Sequence, residues 1–244
     1  MRQMSSRFTA AASLALAALA CVPQAGFALT GQITQIAGAV LARGDDGQSR
    51  LLALNSAVRE GAQLVTADNS FARVKWGDGG EIVLRANSQL KVNAYNYEES
   101  SPTQDNVALS LIKGGLRAVT GLLTRRNPQN YSVTTPTSTI GIRGTHFGAL
   151  YCNNDCVNVP TPAGGPPADG LHVDVADGRI IVVTQAGAME FSVGQFGYVQ
   201  SGAVTPVQVP ESQGIRITLP PQAINPAIQG GTVGTGSHLE CTIR

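Results

Sequence analysis

The chain is poor in the residues from which reactive centres are usually built. Of 244 residues, three are His and four are Cys, and only 14% are charged. It contains no Gly-x-Ser-x-Gly elbow, His-Glu-x-x-His pair, phosphate-binding loop or dinucleotide fingerprint. The adjacent carboxylates Asp45–Asp46 and Glu98–Glu99 lie in loop-like stretches and read as solvated charge rather than as an acid–base pair. These absences exclude the common hydrolase, metalloprotease and nucleotide-binding classes. The expectation is a protein that is not an enzyme and needs no cofactor. Strong charge of either sign is lacking too. The 17 Lys and Arg, less Arg2 and Arg7 of the leader described next, leave 15 basic residues against 16 acidic ones. That balance gives no electrostatic footprint for nucleic acid and no pull toward anionic lipid.

Long apolar runs are confined to the N-terminus. Arg2 and Arg7 precede an Ala/Leu-rich stretch from Phe8 to Ala20, and Gly26-Phe27-Ala28 ends in small residues. This pattern predicts a secretory signal peptide over 1–28, cleaved after Ala28, because the run is too short to span a bilayer. Cys21 lacks the Leu that a lipobox places two positions before its last small residue, so lipidation there is not expected. Nothing later is long and apolar enough to cross a membrane. The mature protein is therefore expected in the periplasm or secreted.

Helical periodicity is missing from the rest, apart from one short turn allowed between Ser56 and Ala67. Instead, five-residue apolar segments recur between turn signals, and Gly is abundant at 28 residues. Both features predict an all-β fold. Three apolar–turn–apolar units read as hairpins. They are 72–76 with 81–85 around Gly77-Asp78-Gly79-Gly80, 109–112 with 116–119 around Lys113-Gly114-Gly115, and 171–175 with 179–183 around Asp177-Gly178. The Pro/Gly-rich segment 153–170 reads as an exposed loop. Residues 203–244, with five Pro before a Gly-rich end, read as an irregular tail with one short strand around Ile215 to Leu219.

Cys152 and Cys156 bracket the base of that loop, and in an oxidising compartment a disulfide is the simplest reading. A metal site from Cys152, Cys156, Asp155 and His146 is the sharper alternative, but no second matched ligand pair follows, so no metal is expected. Cys241 remains over, free or paired between molecules. The few aromatic residues include Trp76, Tyr95 and Tyr97. Tyr95 and Tyr97 would share a strand face and could form a contact platform, although core or rim packing is the commoner fate of such residues.

The most informative segment runs from Val133 to Phe147. Before Gly144, Ile140 and Ile142 alternate onto one strand face; after it, Thr145 and Phe147 continue one residue out of phase. A β-bulge at Gly144 would return both sets to the same face, with Arg143 at the bulge. Arg143 then has two readings. It either fastens the bulge through several hydrogen bonds, the preferred reading, or it grips an acidic group of a partner. His146 reads as a half-exposed strand residue.

The stretch Thr-Pro-Thr-Ser-Thr-Ile-Gly-Ile-Arg-Gly-Thr-His-Phe over 135–147 resembles the signature of the FecR domain family, named for the periplasmic part of the regulator of ferric-citrate uptake. Gly31 to Arg43, Arg59 to Asp68, Ala72 to Leu90 and Leu109 to Leu116 are similar to the family's preceding strands and turns, so the likeness covers roughly 31–200. It implies a FecR-type domain over 29–202, made of short antiparallel hairpins in a twisted sandwich or short β-roll. It also implies a binding role in signalling or regulation. In family members that regulate transcription, a cytoplasmic segment and one membrane helix precede this domain, which relays the state of an outer-membrane receptor. This chain departs from that plan by carrying a cleavable leader instead. The expected partner is an envelope protein, met through an exposed sheet edge and the signature residues Arg143, Gly144, Thr145 and His146. The rival is an envelope component that binds polysaccharide through Trp76, Tyr95 and Tyr97.

Overall fold

The computed structural model describes residues 30–224. The expected signal peptide, Cys21, His238 and Cys241 lie outside the described residues. The fold is all-β. Its strands run β1 (Gly31–Ala37), β2 (Val40–Arg43), β3 (Ser49–Leu51), β4 (Ala57–Val58), β5 (Gln63–Thr66), β6 (Phe71–Trp76), β7 (Glu81–Leu84) and β8 (Gln89–Asn96). They continue with β9 (Asn106–Val119), β10 (Tyr131–Thr134), β11 (Thr139–Cys152), β12 (Gly170–Thr184), β13 (Gly187–Ser192), β14 (Phe196–Val199) and β15 (Val207–Val209). Two short helices, α1 (Leu122–Arg126) and α2 (Pro221–Ile224), were not legible as periodic segments. Between Ser56 and Ala67 the chain forms β4, a turn at Glu60–Gly61 and β5, with no helix. No helix among the described residues is long and apolar enough to cross a membrane.

All the strands join one mixed sheet whose main path is β15-β14-β12-β11-β10-β9-β7-β6-β1-β4. The pair β9–β10 is parallel and the others are antiparallel. The sheet encloses a single main core in which Phe147, Phe191, Leu64, Leu84, Leu109 and Leu116 are fully buried. Each such side chain stabilises the fold by roughly 1.5–3 kcal/mol relative to exposure.

The first expected hairpin is present: β6 and β7 pair from Ala72 with Leu84 to Lys75 with Glu81. The other two are corrected. The segments around Gly114 form one strand, β9, and those around Gly178 form one strand, β12. Both glycines have positive φ, +74° and +71°, as a turn would require. In each case, however, the chain bends and continues instead of reversing. The first half of β9 pairs with β8, while its second half pairs with β7 and β11. Gly178 lies against the bulge of β11, so close that a Cβ there would stand 2.1 Å from the Gly144 carbonyl oxygen. Two opposed bulges bend a pair of long strands together, and this is how one sheet curls over one core.

Residues 203–224 also depart from a free tail. β15 pairs with β14. The strand expected over 215–219 is absent, because this segment runs across the strands instead of along them. Gly214 packs on Phe196 of β14, Ile217 on Gly148 of β11, and Ala223 with Phe71 of β6 and Val83 of β7. A chain crossing a sheet at that angle cannot join its ladder, so its backbone is held by side chains.

Candidate functional site

The signature segment forms the start and middle of β11. Its register against β12 shifts between Arg143 and His146, and Gly144 has φ +56°. The bulge puts Ile140, Ile142, Thr145 and Phe147 on the buried face together. Thr145 is fixed there by its neighbour across the sheet. Its N–H donates to Thr120 Oγ1 at 2.9 Å, and its carbonyl accepts from the Thr120 N–H at 3.0 Å. Gly144 faces open space.

Arg143 is not the fastener that the sequence suggested. It is exposed, and its side chain makes no hydrogen bond or ion pair among the described residues. Its partner in register is another arginine, Arg179 of β12, whose guanidinium meets Glu190 of β13 at 3.2 Å with both groups half-exposed. Like charges directly opposite on neighbouring strands are unfavourable. Two and four residues along β12 from Arg179, on the same outward face, Ile181 and Val183 are exposed as well. The bulge is held instead by the Gly144–Gly178 approach and by Thr120.

The fastening arginine is Arg117 of β9. It is buried, and its Nη1 donates at 2.7 Å to Asp174 Oδ2 and at 2.9 Å to the carbonyl of Ile217. Asp174 Oδ1 in turn accepts the Ile217 N–H at 3.0 Å. Arg117 Nε donates at 2.8 Å to His146 Nε2, which fixes that ring as neutral with its proton on Nδ1. Burial, and then the Arg117 charge, hold the His146 pKa below its ordinary value, against opposing pulls from Asp174 and Asp177. His172 is also depressed by burial, and its Nε2 lies 2.8 Å from the Ala168 carbonyl.

The aromatic residues do not make an exposed platform. Trp76 is buried, 5% exposed, and stacks on Tyr95 with ring centroids 5.4 Å apart. Tyr95 turns its hydroxyl to Asp78, donating to Oδ1 at 3.1 Å and accepting the Asp78 N–H at 2.9 Å. Tyr97 packs against the core beneath the Arg126 guanidinium, 4.8 Å from its ring centroid. The apolar bulk of these rings is spent on packing, as rings near a core edge usually are. Asp78 is a second feature the sequence reading missed. Its buried carboxylate also accepts the N–H of Gly80 at 3.0 Å and of Leu123 at 3.3 Å, tying the hairpin to α1.

Cys152 and Cys156 are joined in a disulfide. Asp155, the remaining member of the alternative metal set near them, accepts the Asn153 N–H and lies 3.4 Å from Lys113. Beside this loop, a cleft of about 220 Å³ takes in Arg85, Gly115, Leu150 and Val159. A larger depression, about 730 Å³, lies elsewhere, among Asp45, Asp46, Arg50, Arg59 and Glu60.

Residues 62–165 match the family model described as FecR protein, a span that includes the bulge, Arg117, Arg143 and the disulfide. Over that span the chain resembles the FecR family. No curated protein matches the chain. Two crystal structures of a "putative anti-sigma factor" from Parabacteroides distasonis align with 69% of this chain at 14% identity and a TM-score of 0.45. The alignments span 65% and 64% of that protein, less than two thirds of its length. A "Cell surface anchoring domain" aligns with 25% of this chain and 82% of its own, at 26% identity and a TM-score of 0.25.

Proposed function

We propose that this protein is an exported, non-catalytic FecR-type module that binds an envelope protein and serves in signalling or regulation. The match of residues 62–165 to the FecR family model supports the regulatory role. The disulfide fits an oxidising compartment outside the cytoplasm. The observation that carries the binding surface is Arg143: a signature residue that is exposed, unpaired among the described residues and set opposite Arg179. Arg179 is already engaged by Glu190, whereas the Arg143 side chain contributes no contact to the fold, and an acidic partner surface would gain charge-assisted hydrogen bonds from it. Among the described residues the neighbouring β13 pairs with β12 alone, so its other edge suits an added strand of that partner. The polysaccharide reading loses support, because its three aromatic contacts are packed inward or half-buried.

The test is cross-linking capture from native envelope with the secreted chain, comparing the unaltered protein with a folded Arg143→Glu, Arg179→Glu variant. One discrete protein captured by the first bait and lost with the second is the expected result. Equal capture by both, or retention on glycan resin alone, would overturn the reading.

A further inference from the structure

The segment that crosses the sheet sits in a site built to hold extended polypeptide. Arg117 and Asp174 grip both hydrogen-bonding groups of a single residue, the carbonyl and the N–H of Ile217. Neither contact reads the side chain. The Ile217 side chain drops onto Gly148, where any Cβ would come within 2.6 Å of it, and joins Leu150, Ile215 and the disulfide in a small apolar cluster. Gly214 lies equally close over the Phe196 ring. We propose that this groove is a peptide-binding site which the chain's own residues 214–219 fill in cis, and that an extended segment of a partner protein, with a branched apolar residue followed closely by an acid, can take their place.

Three observations favour exchange over permanent closure. The crossing segment is outside the strand ladder, so its release breaks no strand pairing. The Arg117–Asp174 ion pair, at 2.7 Å, does not need Ile217, so the vacated groove keeps its buried charges matched. The third is a cation that the resident segment leaves unused. Arg85 follows β7, its N–H bonded to the Gly115 carbonyl, and Gly115 pairs with Leu150 beside Ile217. Its guanidinium makes no hydrogen bond or ion pair among the described residues. Burial lowers its pKa, and Asp174, already held by Arg117, offsets this in part. Within 210–224 the one acid is Glu211, which pairs with Arg216. A competing segment that carries a carboxylate past its Ile would satisfy Arg85 as the resident segment does not. The resident segment holds its place chiefly by being tethered, at an effective concentration on the order of millimolar.

The experiment uses the full secreted chain and fluorescent peptides of sequence 213–221, in the native form and with Glu replacing Thr218 or Pro220. Ile217→Asp, which expels the resident segment, should bind the native peptide at least about tenfold more tightly than the unaltered chain does. At least one Glu peptide should bind about tenfold more tightly again, a gain removed by Arg85→Gln. Failure of the Ile217→Asp protein to bind any peptide overturns the proposal, as does equal affinity for native and Glu peptides. Should Ile217→Asp not fold, hydrogen exchange on the unaltered chain decides. Amides of 213–219 that exchange well ahead of Ala149 and Val173 beneath them support release, and equal protection overturns it.

Discussion

Arg117 and Arg143 stand on neighbouring strands of one sheet, β9 and β11, and have opposite fates. The first is buried, paired with Asp174 and bonded to Ile217 and His146. The second is exposed and faces another arginine. By sequence alone Arg143 was the better fastener, because it lies in the signature between two glycines. Arg117 was an unremarked polar position in an apolar strand. The contrast teaches that an arginine's role is set by what crosses over its strand. A segment 100 residues further on covers Arg117, whereas no described segment covers Arg143.

The comparison breaks most sharply on Arg117 itself. Replacing it by Ala leaves Asp174 charged, buried and short of a partner, and should cost about 3–5 kcal/mol in urea unfolding. Asp78→Ala comes next. It strands the buried Gly80 and Leu123 N–H groups and the Tyr95 hydroxyl, for a loss of about 2–3 kcal/mol in the same measurement. Reducing Cys152–Cys156 closes the upper range. The loop is short, so loop-closure entropy assigns it at most about 2 kcal/mol, read as the shift in thermal midpoint on adding reductant.

Acidification sharpens the contrast without a mutation on either arginine. His146 is neutral in the fold because it accepts from Arg117, and its folded pKa lies below the unfolded value of about 6.5. The unfolded chain therefore binds the proton first. Stability from this group is complete above the unfolded pKa and is lost as pH falls from there through the folded pKa, after which the loss levels off. Arg117, Asp174 and Asp177 are the charges that act on the ring. His146→Gln, compared with the unaltered chain in urea titrations at pH 7.5 and pH 5, should reduce the dependence. The part due to His172, shifted the same way, should remain.

Legibility followed range. The bulge was readable because Ile140, Ile142, Thr145 and Phe147 announce a phase change within eight residues, and the β6–β7 hairpin because Gly77 to Gly80 is a local turn. Gly114 and Gly178 misled for a physical reason: a turn and a bulge demand the same positive φ, and only the opposing strand decides between them. Asp174 and Arg117 lie 57 residues apart and each sits at an outward position of an apolar strand, so no local pattern joins them. Residues 203–224 read as a tail because Pro-rich composition reports a lack of regular pairing, which is true of them, and says nothing of the sheet face they cover.

The smallest expected effect is the one that bears on function. Arg143→Ala removes an exposed side chain with no described partner and relieves its repulsion from Arg179, so unfolding free energy should change by no more than about 0.5 kcal/mol. An unchanged urea midpoint, together with loss of the captured envelope protein, separates a contact residue from a fastener in one experiment. A drop of several kcal/mol would return Arg143 to architecture and erase the contrast with Arg117. Arg143→Lys adds a finer grade. It keeps the charge but loses the planar fork, so capture should fall yet survive if the partner offers carboxylates to the guanidinium. Arg143→Glu should abolish capture at the same stability, since reversed charge meets an acidic partner with repulsion at the centre of the contact.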